Sequence, residues 1–475
     1  MVNIQMRSIV WSAIERFSGQ GIQFILSIII ARLVSPSDYG LIAMLTIFLS
    51  VAQSLIDSGF SNALIQKKDR TETDYATVFY FNLVVSMGIY GIFWLVSPYI
   101  ASFYNEPILK DVARLAGLNF ILSAFSIIQR TKLIINLDFK TQAKISIISI
   151  TISGFIGIYC AWKGLGVWAL VFQSLINNTI NTILLWLFSH WKPIFVFSIS
   201  SFKRLFSFGS RMLLTGLLAT FYNNMYSLVI GKFFTAQDLG YYNRMHSLAV
   251  FPSSNITSII ARAVYPIQCN IQDNNQILKE SFFKLLRLSS FVIFPAMLGL
   301  AALSKPIILV LLSDKWVSAS GLLTILCFAL MWNHIMYLNW QILGVKGRSD
   351  LSFKSEVYKK IISVTILICT IPLGIRIMCI GMVVYSMIDI LIIICFLKQV
   401  FPISHSEEYR IIFPLFLLSF AMFCIVSFCT SLITNPYMQI VIGLGLGICS
   451  YAGLAYFFKF PELYYYLHKL RRNNV

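Results

Sequence analysis

Ser12, Arg16, Gly19, Gln20, Gln23 and Ser27 recur at three- and four-residue steps in a stretch otherwise rich in Ile and Leu. That spacing lays them along one face of a helix. Two hundred positions later Thr220, Asn223 and Ser227 stand opposite Gln20, Gln23 and Ser27, with Gly216 opposite Arg16. A polar face on an apolar helix either joins it to a neighbouring helix or lines a hydrated cavity. Its return at equivalent places favours the cavity. The helix ends that follow repeat as well: Arg32, Asp38 and Gly40 correspond to Lys232, Asp238 and Gly240. Each copy closes an apolar helix with a cation and opens the next with Asp and Gly, so each Asp is expected to cap a helix. We read these six residues, with Arg244, as structural or gating.

An arginine inside a membrane costs at least about 2.5 kcal/mol unless it faces water or a partner. Arg16 lies roughly 12 Å into the first apolar segment at 1.5 Å per residue. Arg211 sits near the start of the seventh segment and Arg262 near the end of the eighth, where snorkelling to the headgroups is the alternative to cavity lining. Together with Gln20, Gln23, Thr220 and Asn223, these arginines form the expected substrate-binding set. Acidic residues within apolar segments are few: Glu15, Asp57 and Asp389. Glu15 and Asp57 are the candidates for ion coupling, although Glu15 points about 100° away from Arg16 around the helix. His246 and His334 are expected to be hydrogen-bonded packing residues, and Pro252 and Pro295 to kink their helices.

These residues must be held by membrane-spanning helices. The chain is 58% hydrophobic and 12% charged, far from the composition of soluble proteins. About 14 runs of roughly 20 apolar residues are present, each long enough to cross about 30 Å of hydrocarbon. Helices are required, because backbone polar groups in lipid must be satisfied and the alternation of a membrane barrel is absent. The N-terminal run is read as a retained first span, since Glu15 and Arg16 interrupt it and no small-residue cleavage site follows. An offset of 200 residues covers six spans and restores the original direction, which predicts two parallel repeats. The expected fold is an all-α polytopic membrane protein. Residues 1–200 (spans 1–6) and 201–400 (spans 7–12) form two six-helix lobes, and residues 401–475 add two further spans and a tail.

The net charge of +18 does not point to nucleic acid, because the basic residues sit in short loops rather than along one stripe. Lys67, Lys68 and Arg70, Arg130 and Lys132, and Lys346 and Arg348 fall in even-numbered loops. The odd-numbered loops are sparse, so both termini are expected to be cytoplasmic. The nine cysteines form no CxxC pair and argue against a disulfide framework or a zinc site. No phosphate-binding loop, nucleophile elbow or HExxH motif is present, and no loop is long enough for a catalytic domain. The expected function is therefore transport within the helix bundle, with no cofactor and no enzyme activity.

Several motifs carry a family resemblance. Arg32-Leu33-x-Ser35-Pro36-x-Asp38-Tyr39-Gly40, Asp57 to Phe60 with Ala63 to Gln66, and Leu239 to Arg244 are among them. Ala263 to Pro266, Leu312 to Trp316 and Gly344 to Leu351 complete the set. The chain in this respect resembles the polysaccharide (Wzx-type) flippases of the multidrug, oligosaccharidyl-lipid and polysaccharide exporter superfamily. The resemblance implies a bacterial inner-membrane protein that moves an undecaprenyl-pyrophosphate-linked repeat unit outward by alternating access, for capsule, O-antigen or another surface polymer. It also implies membrane lipid around the bundle, with glycosyltransferases and a polymerase of the same pathway as partners. The alternatives are a cation-coupled small-molecule exporter on the same scaffold and a membrane-embedded glycan polymerase or ligase.

Overall fold

The computed structural model describes residues 19–57 and 59–463, and the side chains of all of these except 211, 259 and 261–263. The described residues form helices joined by short turns, with no strand among them. In chain order they are α1 (Gly19–Leu33), α2 (Pro36–Asp57), α3 (Phe60–Gln66), α4 (Glu72–Tyr104), α5 (Leu109–Ile135), α6 (Phe139–Trp162), α7 (Val167–Ser189), α8 (Ile199–Phe233) and α9 (Ala236–Asn270). After these come α10 (Asn275–Ala302), α11 (Ser304–Leu311), α12 (Ser320–Leu330), α13 (Asn333–Val345), α14 (Ser349–Thr370), α15 (Ile375–Leu397), α16 (His405–Ser431) and α17 (Pro436–Phe457).

Eleven segments among the described residues are long and apolar enough to cross a membrane. The protein is thus an all-α, multi-pass membrane protein. The other expected spans fall on α1, α9 and α14, which are not among those eleven segments. α1 has only a short described stretch, while α9 and α14 carry more polar residues.

Short polar residues set the helix starts. Thr71 accepts from the Asp74 backbone N–H while the Asp74 carboxylate accepts from Thr71 N, a reciprocal cap on α4 that satisfies two otherwise orphaned donors. Ser404 and Glu407 repeat the device on α16. Asn274 and Asn435 each accept two backbone N–H groups at the starts of α10 and α17. Prolines 252 and 266 lie inside an unbroken α9, and Pro295 inside α10. Packing between helices tolerates the missing donor; just past Pro252, Ser253 Oγ donates to Leu330 O across 2.8 Å.

The chain divides into two compact units, residues 1–240 and 241–475. In the first, α4 packs along α5, α7 along α5 and α6, and α8 along α2. Phe60, Leu64, Val78, Phe79 and Ile128 close an apolar cluster with Trp191 and Leu205. α2 and α3 meet at Gly59, whose φ of +70° suits glycine. A Cβ there would also meet Gly209 O on α8 at 2.6 Å, so the turn lets α3 lie against α8. In the second unit α10 packs on α16, α15 on α12 and α14, and α17 on α16. Phe282, Phe294 and Trp316 are fully enclosed there.

Candidate functional site

The repeated helix ends have the same local geometry. Ser35 Oγ donates to Asp38 Oδ2 at 2.6 Å, and Asp38 N donates back to Ser35 Oγ at 3.2 Å. Thr235 and Asp238 do the same at 2.7 and 3.1 Å. Asp38 does more, since its Oδ1 accepts the first N–H of α7, from Val167, at 3.0 Å. The two glycines meet across the repeat. A Cβ on Gly40 would fall on the carbonyl of Ala236, and one on Gly240 on the carbonyl of Pro36. Lys232 Nζ donates to Phe103 O at 2.6 Å and lies over the Phe103 ring. Arg32 is exposed, and Arg244 is 8% exposed.

Glu15 and Arg16 lie outside the described residues, as do the side chains of Arg211 and Arg262, whose backbones belong to α8 and α9. The rest of the expected binding set is described. On α1, Gln20 is half-buried, with its Oε1 enclosed and unbonded, and Gln23 is exposed. On α8, Asn223 is exposed and Thr220 half-buried. Thr220 Oγ1 lies 3.2 Å from Ser54 Oγ on α2, and Thr220 O accepts from Asn224 Nδ2 at 2.8 Å. The structure therefore gives Thr220 a place in the α2–α8 contact and leaves the neighbouring Asn223 open. Asp57 accepts from Ser61 Oγ at 2.6 Å across the α2–α3 turn.

Other polar groups escape a reading of charge and spacing. At one end of the first unit, Lys67 and Asp74 pair at 2.5 Å, with the carboxylate buried. Lys132 and Glu72 pair at 2.9 Å, and the Trp191 indole donates to the same carboxylate at 2.6 Å. By charge and spacing alone, Lys67 and Lys132 are topology signals only. In the second unit Lys359 and Asp389, 5% and 8% exposed, pair at 2.8 Å between α14 and α15. His334, expected to pack, lies 2.9 Å from Ser290 Oγ and 2.8 Å from Met331 O. A second polar lane joins α5 to α7 through Asn119, Ser174, Asn178, Arg130 and Asn181. Its one signal in the sequence is the run Asn177-Asn178-Thr179-Ile180-Asn181 within an apolar span.

Among the described residues no group of three or more His, Cys, Asp or Glu side chains is arranged to hold a metal ion. The open groups, an amide on each of two helices related by the repeat, are suited to hydrogen bonding a polar ligand.

Known proteins are similar to this chain in sequence and in fold. The model of a family described as polysaccharide biosynthesis protein matches residues 29–321. Teichuronic acid biosynthesis protein TuaB of Bacillus subtilis (strain 168) is 28% identical, over 87% of this chain and 86% of its own. Lipopolysaccharide biosynthesis protein WzxC of Escherichia coli (strain K12) is 26% identical, over 74% of this chain and 71% of its own. Among solved structures, the lipid II flippase MurJ in an inward closed conformation superposes with a TM-score of 0.77. It is 14% identical, and the match covers 95% of this chain and 99% of that one. An inward-facing multidrug resistance MATE family transporter matches with a TM-score of 0.57 at 15% identity, over 82% and 98% of the two chains.

Proposed function

The chain belongs to the polysaccharide biosynthesis protein family, and from that premise we propose that it is a flippase. Its cargo on this reading is an undecaprenyl-pyrophosphate-linked oligosaccharide, carried across the bacterial cytoplasmic membrane by alternating access for assembly of a surface polysaccharide. The relatives' names place them in polysaccharide pathways, and the fold is shared with proteins named as a lipid flippase and as a transporter.

One observation carries the reading to residues: Gln23 and Asn223, repeat-related positions on α1 and α8, are both exposed. An amide turned toward lipid forfeits its hydrogen bonds, so two such groups at matched places call for water or a polar ligand. Gln20, Gln23 and Asn223 are assigned to the sugars, with Thr220, held against Ser54 of α2, positioning the α8 side of that face. Arg16, Arg211 and Arg262 are assigned to the diphosphate, for which a guanidinium fork is suited. The polyprenyl tail stays in lipid. Arg32, Asp38, Gly40, Lys232, Asp238, Gly240 and Arg244 form the structural and gating set, and Glu15 and Asp57 are assigned to ion coupling. Both termini are placed in the cytoplasm, beside the glycosyltransferases of the pathway, with the polymerase acting on the product outside.

In cells whose own copy is deleted, the Gln23→Leu/Asn223→Leu variant should restore roughly tenfold less surface glycan than the unmodified chain, the loss expected for about two hydrogen bonds. Its abundance in the membrane should be unchanged. Full restoration would remove both residues from the binding set. Resistance to organic cations on expression, without restored glycan, would instead favour the small-molecule exporter.

A further inference from the structure

The face of α7 that meets α5 and α6 is polar, although α7 is among the membrane-spanning segments. Asn178 Nδ2 donates to Asn119 Oδ1 at 2.5 Å, and Asn119 Nδ2 donates to Ser174 Oγ at 3.3 Å. One turn along, Arg130 Nη2 donates to Asn181 Oδ1 at 3.2 Å. From α6, Ser153 Oγ donates to Asn177 Oδ1 at 3.4 Å. Ser174 and Arg130 are exposed, and the asparagines are half-buried. Ile183 and Leu187, 53% and 62% exposed, lie about 180° and 220° around α7 from Ser174 at 100° per residue. These two apolar residues are thus turned away from the amides, while Phe188, 47% exposed, lies on the amide side at the end of the helix.

Each amide carries two donors and two acceptor sites, and the contacts within the protein use only part of them. Among the described residues, Asn181 Nδ2, Asn178 Oδ1 and Asn177 Nδ2 make no hydrogen bond to the protein, and none is enclosed. Interhelical glue would need only the bonds already made. What remains is a row of neutral donors and acceptors on successive turns. It covers about 10 Å of the span between Ser174 and Asn181 at 1.5 Å per residue and ends at a guanidinium.

We infer that this polar face of α7, set against α5 and α6, is a glycan-contact site, in which Asn177, Asn178 and Asn181 hydrogen-bond sugar hydroxyls while Arg130 lies at its end for an anionic substituent. Hydroxyls both donate and accept, so they match amides that present either group. An alkyl tail matches neither. The inference rests on the flippase reading and adds to it a track distinct from the α1 and α8 positions.

The full chain, purified in detergent, is tested by native mass spectrometry with two lipids: undecaprenyl pyrophosphate bearing one N-acetylglucosamine, and bare undecaprenyl pyrophosphate. The unmodified chain should bind the sugar-bearing lipid roughly tenfold more tightly, the worth of one or two hydrogen bonds. Asn178→Leu/Asn181→Leu should abolish that preference and leave bare-lipid binding unchanged. Asn181→Leu alone, which loses a single bond to an exposed arginine, should reduce it, and Asn181→Gln should retain it in part. The inference is overturned if the leucine variants keep the full preference, or if they lose both lipids together with a lowered melting temperature. It is also overturned if the unmodified chain binds the two lipids equally. Failure of the unmodified chain to bind either lipid would overturn the flippase reading as well.

Discussion

Gly40 shows how much one missing methyl group matters in this protein. Its Cα faces the Ala236 carbonyl so closely that any Cβ would overlap it, and Gly240 faces Pro36 in the same way. Backbone cannot move aside as a flexible side chain can, so Gly40→Ala should cost at least about 1–3 kcal/mol. Gly88, an exposed residue of α4 with nothing within 4 Å of the added Cβ, provides the control. Gly88→Ala should stabilise by about 0.4–1 kcal/mol through the unfolded chain. Melting temperatures of the two variants in one detergent should therefore move in opposite directions. That both helix starts share one local structure was legible because the pattern occurs twice, but the cap positions fall on Ser35 and Thr235, with Asp38 and Asp238 three residues on as their reciprocal partners. The close approach of the two glycines was not legible. That Asp38 also accepts the first N–H of α7 was not legible either, since 129 residues separate the two and no local pattern records the bond.

At the scale of helices, the pairing of α14 with α15 rests on a contact that charge counting hides. Lys359 belongs to a basic run in an even-numbered loop by sequence, yet it lies ten residues into α14 and its ammonium is buried against Asp389. Glu356, 3.3 Å from the same ammonium, shares it. Removing one partner from a buried pair strands the other charge, so Asp389→Asn or Lys359→Met should cost about 3–5 kcal/mol. The double variant Lys359→Met/Asp389→Leu should recover much of that loss. Denaturation midpoints of the three variants check this, and additive losses in the double variant would count against a direct pair. Apolar runs in the sequence locate these helices well, because crossing the hydrocarbon requires a minimum run of about 20 apolar residues. Which faces meet is decided elsewhere: the amides of α7 are spent partly on α5 and partly on α6, a division that depends on both neighbours being in place.

For the whole molecule, the proposed sidedness rests on the distribution of Lys and Arg and is open to direct measurement. Cys369 near the end of α14 and Cys395 near the end of α15 are both exposed, at what should be opposite faces of the membrane. A membrane-impermeant maleimide applied to intact cells should label a variant retaining only Cys369 and spare one retaining only Cys395. The reverse result would invert the assigned topology and with it the direction of transport. The sequence by itself determined the membrane-spanning helical class and the approximate helix boundaries, because hydrophobic length and periodicity are local properties of the chain. It also carried the family likeness. Only the tertiary structure decided which polar groups are consumed in packing and which stay open. Thr220 faces Ser54 while Asn223 remains exposed, and Lys67 and Lys132 are held in ion pairs. The reason is that a hydrogen bond between helices requires two groups distant in sequence to arrive within about 3 Å of each other, a condition set by the packing of the whole bundle.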